Sequence, residues 1–241
     1  MADPIFEDPL LVSVYDAFDG QRNDLEHYIT IARELRARSV VDVGCGTGCL
    51  ATRLVEEGFE VTAVDPALAS IEFAMRKPNA NQVRWIVGDA THLPAMKSDL
   101  AVMTGNVAQV FVSDVSWSQT LEAIRSKLSP NGHFVFETRD PSKKAWLDWT
   151  REKTYHRIHI ENIGFVAGWC DLLDVAGDLI SFRWAYHFEP DGKTLTSDST
   201  LRFRSKAEIE DSLIKTGFSI SEIRDAPDRP GKEFVFMARL R

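Results

Sequence analysis

A short apolar run, Val40, Val41, Asp42 and Val43, leads straight into Gly44, Cys45, Gly46, Thr47 and Gly48. The run is too short and too β-branched for a helix, and Leu50, Ala51, Leu54 and Val55 then recur at helical spacing. A buried strand, a tight glycine turn and a helix are expected, in that order. The free N–H groups of such a turn point at whatever sits above the strand end and suit an anionic or polar ligand. Glycine lets that ligand come close to the backbone, since no Cβ intervenes.

The chain then repeats this unit. Phe59 to Val64 reads as a second strand ending at Asp65, with Gly58 closing the helix before it and Pro66 opening the helix after it. Val83 to Val87 reads as a third strand, ending at Gly88, Asp89 and Ala90. Leu100 to Met103 reads as a fourth, ending at Thr104, Gly105 and Asn106, and His133 to Glu137 as a fifth. Helical spacing recurs at Leu25, Tyr28, Ile31 and Leu35, with Asp24 as the expected N-cap, and again at Trp117, Leu121, Ile124 and Leu128. Strands alternating with helices at short intervals describe a parallel sheet covered on both faces.

Two segments depart from this rhythm. Residues 1–23, with prolines 4 and 9, show little periodicity and read as an N-terminal arm. From about residue 155 to 204 the pattern has period two, with Pro190, Asp191 and Gly192 as a hairpin turn. Roughly four antiparallel strands with one wet face are expected there. Phe182, Trp184, Tyr186 and Phe188 share a face that either packs on the main sheet or lines a pocket; Arg202 and Arg204 fall opposite Leu201 and Phe203. Ser205 and Glu208 then form a capping box, and Phe218 to Ile223 and Phe234 to Leu240 read as two closing strands. The expected fold is α/β: a doubly wound, mostly parallel seven-stranded sheet with a small antiparallel β insertion. Residues 24–140 and 205–241 form the main domain, residues 141–204 the insertion and residues 1–23 the arm.

Composition narrows the function. No apolar run approaches the roughly 20 residues that span a bilayer, and the first residues carry acids where a signal peptide has basic ones, so a cytoplasmic protein is expected. Three cysteines give no disulfide framework, and Cys45 and Cys49 lack the nearby partners of a metal site, so no metal is expected. The net charge of −8 weighs against nucleic acid as a partner, because phosphate contacts supply most of that affinity. One basic run, six Lys or Arg against three Asp or Glu between Arg139 and Arg157, reads either as a site for an anionic substrate or as a solvated face.

The polar residues at the strand ends would gather where an open parallel sheet binds its ligands. The glycines here are spaced G-x-G-x-G, which departs from the dinucleotide fingerprint G-x-G-x-x-G/A. Asp65 suits the two hydroxyls of a ribose. Asp89 followed by the Ala90 N–H offers the acceptor and donor that match adenine. Each acid also suits a helix N-cap.

Asp42, Gly44, Cys45, Gly46, Thr47 and Gly48, followed by Asp65 and then by Gly88, Asp89 and Ala90, resemble the motif series of class I S-adenosylmethionine-dependent methyltransferases. The resemblance covers residues 24–140, and the closing helix and two strands fit the family's reversed hairpin. It implies S-adenosylmethionine as the cofactor, with Gly44, Cys45 and Gly46 on its methionine part, Asp65 on the ribose and Asp89 and Ala90 on the adenine. Thr104, Gly105 and Asn106 would border the sulfonium, and Tyr15 or Arg22 would fold back onto the carboxylate. Asp42, bracing the turn, and Pro66 complete the expected cofactor contacts. The resemblance is to the small-molecule type, whose antiparallel cap covers the acceptor pocket. A small-molecule acceptor, methylated at nitrogen or oxygen, is therefore expected. Glu137, Arg139 and Tyr186 are the candidate catalytic residues, with Tyr155, His156, His159 and His187 behind them. The alternatives are a binding module for S-adenosylmethionine or S-adenosylhomocysteine without transfer activity, and an RNA methyltransferase. Neither the acceptor nor the oligomeric state follows from the sequence.

Overall fold

The computed structural model describes residues 2–240. Its centre is a seven-stranded sheet built around β1 (Ser39–Val43), β2 (Glu60–Asp65), β3 (Val83–Val87), β4 (Ser98–Met103) and β5 (Leu128–Arg139), which run parallel. The closing pair, β10 (Phe218–Asp225) and β11 (Glu233–Leu240), completes the order β10-β11-β5-β4-β1-β2-β3, with β11 antiparallel to β5.

Successive side chains of a strand point to opposite faces, so each apolar strand feeds two cores. Val40, Leu100, Val102, Val135 and Val235 pack on one face against α3 (Leu25–Glu34) and α4 (Cys49–Glu56). Val41, Ala101, Met103, Phe134, Phe136 and Phe236 pack on the other against α6 (Asp114–Lys127) and α8 (Lys206–Lys215). The expected capping box of α8 is present: the Ser205 hydroxyl accepts from the Glu208 N–H, and the Glu208 carboxylate accepts from the Ser205 N–H at 2.7 Å. Two helix starts differ from expectation. Asp24 is itself helical, with φ −54°, and its carboxylate pairs with Arg22 instead of capping α3. Helix α5 (Leu68–Ala74) begins two residues beyond Pro66.

The insertion is a second sheet, with β6 (His156–Ile160), β7 (Gly164–Ala176), β8 (Leu179–Phe188) and β9 (Lys193–Arg202) antiparallel in that order, preceded by the single turn α7 (Arg151–Thr154). Its aromatic face meets neither of the expected partners. Tyr186 packs edge-on against Phe18 with centroids 5.0 Å apart, and Phe182 packs on Trp149 at 4.6 Å. Arg204, expected on a wet face, is 3% exposed, lies over the Trp117 ring and pairs with Asp114.

The segment expected to be an arm of little periodicity is helical. It forms α1 (Pro4–Glu7) and α2 (Pro9–Asp19), with Pro4 and Pro9 as their first residues. Proline at that position has no helical N–H to lose and a φ already suited to the helix, so it starts helices that it would break elsewhere. The Asp8 carboxylate caps α2, accepting from the N–H groups of Leu10 and Leu11. Ile5, Leu11 and Val14 are buried against Val166, Tyr186 and Phe188 of the second sheet. On the other side Phe6 C=O accepts from the Ser70 hydroxyl and Asp16 from that of Thr47, which ties the segment to the main domain.

Candidate active site

Strand β1 lies between β2 and β4, so the chain winds outward from it in both directions. Ligands of open α/β sheets sit beyond the strand ends at such a point. A cavity of about 420 Å³ opens there. Gly44, Cys45 and Gly46 after β1, Asp65 and Pro66 at β2, Asp89 and Ala90 after β3, and Thr104 and Gly105 after β4 all line it. Tyr15 of α2, Arg22 and Asp42 line it too, so one of the thirteen expected cofactor residues, Asn106, does not.

The glycine turn is tied to the neighbouring strand. The N–H groups of Gly44 and Cys45 both donate to Val64 C=O, at 2.8 and 3.2 Å. Gly46 N–H donates to Asp65 Oδ2 at 2.8 Å, and Ala67 N–H donates to Oδ1 of the same carboxylate at 2.8 Å. Asp65 thus clamps the turn after β1 to the start of the next helix. Burial pushes its carboxyl up, and those two N–H groups oppose the shift. Gly46 has φ +51° and nothing within 4 Å of where a Cβ would stand, which leaves its backbone open to a ligand. Gly48, with φ +76°, is glycine for another reason: a Cβ there would lie 2.5 Å from the Trp85 ring.

Asp42 is 1% exposed, and neither carboxylate oxygen has a hydrogen-bond partner. Burial, reinforced by the charge of Asp65, pushes its carboxyl up to about 7. A buried acceptor without a donor is costly unless a ligand supplies one. Nearby Arg22 is already engaged, with Asp19 and Asp24 each at 2.8 Å. Burial and the charge of Asp19 raise the Tyr15 phenol, which stays protonated. Asp89 serves as the expected N-cap and also lines the cavity. Its Oδ1 caps the following turn through Thr91 N–H at 2.8 Å and meets His92 Nδ1 at 3.0 Å, while the residue still faces the cavity. Burial acts to raise its carboxyl, but the hydrogen bonds from Thr91 and His92 outweigh that and hold it below the usual range.

The candidate catalytic residues are not brought to the cavity wall. Glu137 lies behind it, buried, accepting from the Tyr28 hydroxyl and, at 3.1 Å, from the Asn106 N–H. Burial, with the charge of Glu233 adding to it, pushes its carboxyl up to about 7. Arg139 pairs with Glu233 at 3.3 Å and lies over the Trp149 ring. Tyr186 is packed among aromatic rings under α2, and Tyr155, His156, His159 and His187 also lie off the wall. The basic run from Arg139 to Arg157 is absent from the wall as well, and its Lys143, Lys144, Arg151, Lys153 and Arg157 are exposed.

The structure adds wall residues that the sequence did not mark. Asp3 and Phe6 come from the N-terminal segment, Val107 and Phe111 from the turn after β4, and Thr200 from the second sheet. None sits in a motif. Asp3, Phe6 and Thr200 reach the wall because α1 and β9 fold over the strand ends, whereas Val107 and Phe111 follow β4 directly. Among the described residues there is no cluster of His, Cys, Asp and Glu that could hold a metal ion, and no helix long and apolar enough to cross a membrane.

Comparison with known proteins agrees with this geometry. Residues 40–132 match the family model of a methyltransferase domain. A cypemycin N-terminal methyltransferase of Streptomyces is 27% identical over 147 residues, a match spanning 59% of this chain and 60% of that protein. The chain thus spans about three fifths of the length of that relative. Among solved structures, the methyltransferase CcbJ from Streptomyces caelestis superposes with a TM-score of 0.78 at 19% identity, covering 98% of this chain and 96% of that one. CalS10, an amino pentose methyltransferase from Micromonospora echinaspora solved with S-adenosylmethionine bound, superposes with a TM-score of 0.72 at 19% identity, covering 96% and 97%. At such identities these two show the fold. With the sheet order and the G-x-G-x-G turn between β1 and α4, residues 40–132 form a methyltransferase domain, and the whole chain shares the fold of those solved methyltransferases.

Proposed function

We propose that the protein transfers a methyl group from S-adenosylmethionine to a small-molecule acceptor at nitrogen or oxygen. The observation that carries this reading is Asp42, a buried carboxylate with two unpartnered oxygens on the wall of a cavity at the switch point of the sheet. Its chemistry fits a ligand bearing a positive charge and N–H donors, as the amino-acid end of the cofactor does. Gly44 and Gly46 would accommodate that end, Asp65 the ribose and Asp89 with Ala90 the adenine. The cavity size lies within the range of small-molecule sites, about 300–1,000 Å³.

A sulfonium carries the activated methyl group, so the chemistry resides largely in the cofactor. The protein aligns an acceptor with the S–CH₃ axis, chiefly a matter of proximity and orientation. An acceptor would approach between Phe6, Phe111 and Thr200, which close the cavity from three separate segments. An amine arriving in its neutral form needs no base.

A single-turnover assay with methyl-labelled cofactor and a metabolite extract tests the reading. Label appearing in a small molecule supports it. Micromolar binding of S-adenosylhomocysteine with no label transferred would point to the binding module instead. Label appearing in RNA, with strongly salt-dependent RNA binding, would point to an RNA methyltransferase.

A further inference from the structure

Thr104 and Gly105 reach the cavity at the end of β4, but the next residue, Asn106, turns inward and is 4% exposed. Gly105 and Asn106 are both left-handed, at φ +70° and +62°. Asparagine adopts that conformation readily, as Asn79, Asn131 and Asn162 do here too, so the backbone alone asks for no clamp. Two glutamates nonetheless hold Asn106 from different strands. Glu137 of β5 accepts the Asn106 backbone N–H at 3.1 Å, and Glu233 of β11 accepts its side-chain Nδ2–H at 3.3 Å. Both carboxylates are fixed in turn. Tyr28 of α3 donates to Glu137, while Arg229 at 2.6 Å and Arg139 at 3.3 Å hold Glu233.

The partners lie 31 and 127 residues from Asn106 in sequence, and none of these groups lines the cavity. So much buried charge around one short loop is far more than a turn requires, since a buried ion pair is weak support for stability alone. We propose that Glu137 and Glu233 are positioning residues: they clamp Asn106 by its backbone and its side chain, and so set Thr104 and Gly105 against the reacting sulfonium. This rests on the cofactor reading above, in which Thr104 and Gly105 border that group.

The test compares S-adenosylmethionine with S-adenosylhomocysteine, which lacks the transferable methyl group and the sulfonium charge. Dissociation constants for both are measured by calorimetry on the full chain, for the wild type, Glu137→Gln, Glu233→Gln and Asn106→Gly. Clamp variants are expected to lose affinity for S-adenosylmethionine about 3- to 10-fold more than for S-adenosylhomocysteine, the size of one lost hydrogen bond. A general loosening of the pocket would weaken both ligands alike. Equal losses, or none, in variants that retain a cooperative thermal transition would therefore overturn the proposal. Asn106→Gly keeps the left-handed backbone at no steric cost, so it decides the matter if a glutamate variant does not fold. A wild type that binds neither ligand would remove the cofactor reading itself, a result distinct from equal losses.

Discussion

At the scale of single residues, Asp42 ties stability to binding. Burial pushes its carboxyl from 3.8 to about 7, so between those values the folded state holds a proton that the unfolded state has lost. The cost to stability is absent below pH ~4, grows as the pH rises to about 7 and is constant above. Asp42→Asn is expected to match the wild type at pH ~4 and to exceed it at pH ~8, by at most about 4 kcal/mol, in thermal unfolding without ligand. The same substitution should weaken S-adenosylhomocysteine binding about 10- to 100-fold at pH ~8, the range for a charged hydrogen bond. Greater stability together with unchanged affinity would show that Asp42 does not meet the ligand. Asp65 has the opposite character, because both its oxygens are already committed to backbone N–H groups. Its place at the end of β2 was legible in the sequence, whereas its bond to Gly46, 19 residues away, was not.

At the scale of elements, the β1–turn–α4 unit was legible almost to the residue, because each part has its own local cause. Valines favour the strand, glycines the positive φ angles, and the spacing of Leu50, Ala51 and Leu54 the helix. What keeps the unit in place is less local. Gly48 sits against Trp85 of β3, and Gly48→Ala would set a Cβ at 2.5 Å from that ring in a left-handed conformation. A loss of about 2–4 kcal/mol in urea unfolding is expected, beyond the roughly 1 kcal/mol scale of the backbone cost alone. A change in Trp85 fluorescence at low urea would place the strain at this contact. Helices α1 and α2 were missed for the converse reason. Leu10, Leu11, Val14, Tyr15 and Phe18 do repeat at helical spacing, but Pro4 and Pro9 read as interruptions when they are in fact first-turn residues.

At the scale of the whole molecule, α1 and α2 join the two sheets. One side covers Val166, Tyr186 and Phe188 of the second sheet, and the other reaches Ser70 and Thr47 of the main domain. Removing residues 2–7 takes Asp3 and Phe6 from the cavity wall and Ile5 from the core. Stability is expected to fall by about 2–4 kcal/mol, the scale of one lost buried aliphatic side chain. Binding of S-adenosylhomocysteine should weaken at the same time, measured by calorimetry. Full affinity in the truncated chain would show that this segment closes the acceptor side alone.

By itself the sequence determined the main sheet, its strand ends and the residues that gather there, since period, turn chemistry and strand-end acids are properties of neighbouring residues. It also marked the antiparallel insertion through its period of two. Tertiary structure decided which polar groups face the cavity and which turn away from it. Asp42 and Asp65 are both acids on the strands beside the turn, yet one is left without a partner and each oxygen of the other accepts a backbone N–H. Asn106, which the resemblance implied beside the sulfonium, and Glu137, a candidate catalytic residue, lie behind the cavity wall, paired with Glu233 and Tyr28. Such pairings join residues more than a hundred positions apart, and no local pattern records them. They form because a buried charge must find its partner wherever the fold brings one.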